Sequence, residues 1–87
     1  MAQFNATAIV TLATGNKANP RFSANGNHNN LAHWAAIQAA FTAAKGKPVT
    51  MGALVTAQQK AHPTNIGNAR PFLMYAINSI KCLQTAS

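Results

Sequence analysis

The chain has 87 residues, 48% of them apolar, and carries seven basic side chains and no Asp or Glu. That length supports one small domain, burying about two-thirds of its unfolded surface, and no stretch approaches the roughly 18 apolar residues that span a bilayer. Without carboxylate side chains there are no paired-carboxylate mechanisms, no ordinary Mg²⁺ or Ca²⁺ sites and no internal side-chain salt bridges.

Residues 4–13 alternate, with Phe4, Ala6, Ala8, Val10 and Leu12 on one face and Asn5, Thr7 and Thr11 on the other, so a half-buried strand is predicted. The stretch from Thr14 to Pro20 has turn chemistry, and Arg21-Phe22-Ser23-Ala24 is expected to return as a short second strand. Residues 25–30 form a polar loop whose final Asn30 is placed to cap the next helix.

From Leu31 to Lys45 the pattern is helical: Trp34, Ile37, Phe41 and Ala44 fall within an arc of about 80°. Gly46-Lys47-Pro48-Val49 stops that helix, and Thr50 caps a second over 51–61, with Met51, Leu54 and Val55 on its apolar face. A third helix is predicted over 69–83, with Asn68 as cap and Pro71 in its first turn. Its apolar side holds Ala69, Phe72, Leu73, Ala76, Ile77, Ile80 and Leu83, while Arg70, Met74, Asn78 and Lys81 share an arc of about 80° opposite. The expected fold class is therefore α+β: an N-terminal strand or hairpin packed on a three-helix bundle, the whole chain being one domain.

Ordinary composition would put about ten carboxylates in a chain of this length. With none, the cations Lys17, Arg21, Lys45, Lys47, Lys60, Arg70 and Lys81 repel one another or face an external anion. On the third helix, Arg70 and Asn78 have the side chains that read guanine and adenine in the major groove, and Lys81 suits phosphate. Lys45 and Lys47, with Lys17 and Arg21 from the N-terminal loop, are the expected backbone contacts, and the N–H groups after Thr50 add a phosphate site at a helix start.

Three short helices with Trp34–Ile37–Phe41, with Pro48-Val49-Thr50 leading to Leu54, and with Phe72–Tyr75–Ile80–Leu83 resemble the helix-turn-helix and winged-helix class of small DNA-binding domains over residues 31–83. The resemblance implies that the third helix docks in a groove of duplex DNA. The predicted connection between the second and third helices, about seven residues, exceeds the usual three or four. No wing strands are expected after the third helix, so any hairpin is assigned to the N-terminus. Small size and absent acids also look like accessory proteins of phages or mobile elements.

Function is thus expected to be non-enzymatic nucleic-acid binding with a regulatory role, and homodimerisation would suit two half-sites. The alternative is a basic inhibitor or accessory protein that docks on the acidic or nucleic-acid-binding surface of a host-defence or transcription complex, because phosphate and carboxylate present similar electrostatics. Catalytic residues, metals and cofactors are not expected: Cys82 lies away from a helix N-terminus, and His28, His33 and His62 read as loop and surface residues rather than ligands. No glycine-rich phosphate loop has the required spacing. The lone cysteine and the opening MAQFNATAIVTLATG, which lacks a basic n-region, lead to an expected cytoplasmic location.

Overall fold

A computed structural model describes residues 2–24 and 29–85. The polar loop expected at 25–30, with His28, lies mostly outside them. Strand β1 (Ile9–Leu12) is followed by a 3-10 turn at Gly15–Ala18, helix α1 (Asn30–Ala43), strand β2 (Val49–Thr50) and helix α2 (Met51–Ala61). A 3-10 segment at Pro63–Asn68 leads into helix α3 (Ala69–Tyr75), extended by a π-helical turn at Ala76–Ile80, and the chain returns as strand β3 (Leu83–Thr85). The architecture is α+β: three helices and a three-stranded antiparallel sheet in the order β2-β1-β3.

The strand is shorter than its alternation predicts because Asn5 diverts the backbone. Its Oδ1 accepts from the Thr7 N–H (3.1 Å) and Oγ1 (2.9 Å), while the Ala8 N–H donates to the Asn5 carbonyl (2.9 Å), closing a turn before pairing begins. From Ile9 the alternation holds: Val10 is fully buried and Ile9 faces out.

The partners of β1 are not the expected ones. Arg21–Ala24 forms no strand; β1 pairs Val10 with Val49 of β2 and with Thr85 of β3, so it is the central strand. Phe22 explains the difference. Its ring packs 5.8 Å from Trp34 and 5.1 Å edge-on from Phe72, which holds this segment against the helices and not beside β1. The Ser23 carbonyl accepts from the Leu31 N–H (3.1 Å), which ties the segment to the first turn of α1.

Helix α1 starts one residue before the expected Leu31. Its cap is Asn29, in a left-handed conformation (φ 45°), whose side chain accepts from the Ala32 N–H at 3.3 Å. Trp34, Ile37 and Phe41 are buried as the wheel predicts, and α2 has the predicted bounds and the Thr50 cap. The third helix is the largest departure. Helical structure stops at Ile80, Lys81 takes a left-handed conformation (φ 62°), and Leu83 pairs with Leu12 in the sheet. Both Cys82 and Leu83 are thereby buried, a gain that outweighs the roughly 1–2 kcal/mol cost of a left-handed lysine. A strand does follow the third helix, contrary to the sequence expectation.

The core is one cluster, from Val10 through Trp34, Ile37, Phe41, Met51, Leu54, Phe72 and Leu73 to Leu83. His33 and Gln58 are also fully buried, so His33 is not the surface residue that the sequence suggests. Gln58 Nε2 donates to the Leu54 carbonyl (3.2 Å), which orients Oε1 to accept from His33 Nδ1–H (2.9 Å). Asn65 Nδ2 then donates to His33 Nε2 at 3.3 Å, a pattern that requires the neutral ring protonated at Nδ1. Among the described residues no helix is long and apolar enough to cross a membrane.

Candidate polyanion-binding surface

All seven cationic side chains are exposed, and no carboxylate side chain exists to neutralise any of them. Two share a cleft. Lys17, on the 3-10 turn after β1, and Lys81, at the left-handed turn that ends the third helix, both line a depression of about 410 Å³. Gln84 and Thr85 of the edge strand β3 and Asn78 supply further polar walls. The left-handed turn at Lys81 is what places this lysine between the end of the helix and the start of β3. No sequence signal announces it, because glycine is the usual residue there.

The expected contacts Lys45, Lys47 and Arg21, and the further cation Lys60, lie elsewhere. Lys45 is left-handed (φ 58°) and precedes Gly46 (φ 79°) at the end of α1, with Lys47 next in the same turn. Arg21 lies in the irregular stretch beside Phe22, and Lys60 occupies the last turn of α2, where a cation complements the helix dipole. None of these four lines the Lys17–Lys81 cleft.

The polar face of the third helix meets the chain's own N-terminal segment. The Asn78 amide makes two 2.9 Å hydrogen bonds to the Ala2 backbone, accepting from its N–H and donating to its carbonyl. The Arg70 guanidinium sits 4.2 Å from the centre of the Phe4 ring, a cation–π contact. In this arrangement Asn78 uses both ends of its amide within the fold, and Arg70 is partly covered by Phe4.

The same segment fills the start of α2. The Met51 N–H donates to the Ala8 carbonyl (2.9 Å), the Gly52 N–H to the Ala6 carbonyl (3.0 Å), and the Ala53 N–H to Thr50 Oγ1 (3.1 Å). The expected phosphate site at this helix start is therefore corrected: its first N–H groups already have acceptors. Gly52 is what allows so close an approach, since a Cβ there would lie 3.0 Å from the Ala6 oxygen.

Cys82 is fully buried, and burial pushes its thiol up from 9.0 to about 11, only partly offset by a backbone hydrogen bond. Such a thiol is a poor nucleophile and ligand at neutral pH. Among the described residues no group of three or more His or Cys side chains comes together at metal-binding distances.

Sequence reasoning misses a second depression, of about 270 Å³, lined by Asn30, Asn68, Pro71, Phe72 and Tyr75. Tyr75 is 45% exposed at its edge; the only legible signal was its position at the margin of the helix's polar face. A scan of protein-family models and searches of curated proteins and solved structures returned no match to this chain.

Proposed function

We propose that the protein is a non-enzymatic nucleic-acid-binding protein that grips the phosphate backbone through its exposed cations, chiefly Lys17 and Lys81. The observation that carries this reading is the cleft that two lysines line on a chain with no carboxylate side chain to answer them. Two lysines lining one depression, with Gln84 and Thr85 beside them, match the charge and hydrogen-bonding needs of a phosphodiester. Lys45, Lys47 and Arg21 extend the positive field and speed encounter. Insertion of the third helix into a duplex groove is the less supported mode, because Asn78 and Arg70 are engaged by Ala2 and Phe4. A regulatory role and a cytoplasmic site of action are compatible with this reading.

Fluorescence anisotropy with labelled nucleic acid tests it through a double variant, Lys17→Ala with Lys81→Asn. Asparagine is chosen because it tolerates the left-handed backbone at position 81. Affinity at low salt should fall by at least about tenfold, since each lost phosphate contact removes a released counterion. Unchanged affinity would remove the cleft from the binding surface. Failure of the wild-type protein to bind nucleic acid at all, with tight binding to an acidic protein, would transfer the same surface to a carboxylate-bearing partner.

A further inference from the structure

Among the described residues four large apolar side chains remain exposed, Ile9, Leu31, Ile66 and Tyr75, and Tyr75 is the one aromatic ring among them. It borders the depression formed with Pro71, Phe72, Asn30 and Asn68. At about 270 Å³ this space falls below the 300–1,000 Å³ of sites for drug-sized ligands, and it suits one flat ring. Its walls are two aromatic rings, a proline and an amide pair, with Asn68 Nδ2 donating to Asn30 Oδ1 at 3.3 Å. That bond uses the Asn30 oxygen, and the nitrogen of the same lining amide carries two donors.

We propose that this groove takes one unpaired nucleobase, stacked against Tyr75 with its edge toward the Asn30 amide, so that the preferred ligand is single-stranded nucleic acid. The inference rests on the nucleic-acid reading above and specifies the strand state of its ligand. Among the described residues no lysine or arginine lines the groove, so an acidic peptide side chain would find amides and rings there but no cation, whereas a neutral base needs no charge. A second copy of this chain is disfavoured by its own net charge of +7. Bases inside a duplex have both faces stacked and cannot offer one to Tyr75; bases of a single strand can.

The test uses the full chain and three probes: a short labelled oligonucleotide of mixed sequence, the same oligonucleotide annealed to its complement, and heparin, which has the charge but no bases. The wild type should bind the single strand more tightly than the duplex. Tyr75→Ala should weaken the single strand by about 5- to 150-fold, the usual range for loss of one stacked base, and leave heparin unchanged. Tyr75→Phe, which keeps the ring, should retain the single-strand affinity within a few-fold. The inference is overturned if Tyr75→Ala leaves single-strand binding intact, or if heparin weakens by the same factor. It is likewise overturned if polyglutamate, run beside these three as an acidic-peptide control, binds and depends on Tyr75, which would make the groove a protein site. A wild type that binds neither oligonucleotide nor heparin defeats the nucleic-acid reading itself. Binding of all three probes without any effect of Tyr75 defeats only the stacking site.

Discussion

Asn78 holds Ala2 as a neighbouring strand would, with two 2.9 Å hydrogen bonds between one side-chain amide and one backbone residue 76 positions away. Removing that amide separates the two roles open to this residue. Asn78→Ala should cost about 1–3 kcal/mol, because the Ala2 N–H and carbonyl lose their partners in a partly buried setting. If Asn78 serves the fold, nucleic-acid affinity stays within a few-fold of wild type. Urea unfolding monitored by Trp34 fluorescence gives the first quantity and anisotropy the second. A large loss of affinity in a stable variant would restore this residue to the binding surface.

Gly52 should resist substitution although alanine is the better helix former by about 1 kcal/mol. The new Cβ would meet the Ala6 oxygen at 3.0 Å and the Ala6 Cβ at 3.2 Å, so the N-terminal segment must move. Gly52→Ala is expected to lower stability by about 1–2 kcal/mol net and to make residues 2–8 more susceptible to limited proteolysis. A gain in stability would mean that the segment yields without resistance.

The buried His33–Gln58 pair gives a third prediction. Gln58→Leu conserves volume but leaves His33 Nδ1–H without its acceptor, at a cost of about 1–3 kcal/mol. His33 and Gln58 truncated together should cost less than the sum of the single variants, because the orphaned group is gone. Additive costs in denaturant unfolding would contradict a working hydrogen bond.

Cys82 makes stability depend on alkaline pH. Its folded-state thiol is raised to about 11 by burial, above the ordinary value of 9.0, so the folded protein holds the proton that the unfolded chain releases. The contribution is therefore fully present below pH 9 and is lost as pH rises from 9 to 11, by roughly 2–3 kcal/mol at most. Denaturant midpoints for wild type and Cys82→Ala should converge over that interval. Parallel curves would rule out a buried neutral thiol, as would rapid modification of the native protein by a thiol reagent at neutral pH.

The helices were legible because burial of Trp34, Ile37, Phe41, Leu54, Phe72 and Leu73 imposes a period that the sequence displays. The sheet was only half legible. β1 shows its alternation, but β2 has two residues and β3 three, too short for any periodic signal. Phe22 lies in a segment that looks like a returning strand and packs instead on the aromatic side chains of α1 and α3. The end of the third helix was hidden because its left-handed residue is a lysine, which carries no sequence mark for that conformation. Exposure of the cations followed from composition, whereas the placing of Lys17 and Lys81 along one cleft depends on the path of β3, and the engagement of Asn78 by Ala2 on a contact between chain regions far apart in sequence.

The measurement that bears most directly on the central claim is the affinity of the full chain for nucleic acid, followed over a series of salt concentrations. The proposal requires log K to fall linearly with log salt, with a slope of about 0.7 to 0.9 for each phosphate neutralised, and a shallower slope when Lys17 and Lys81 are both replaced. Absence of binding even at low salt, or an affinity indifferent to salt, would contradict it.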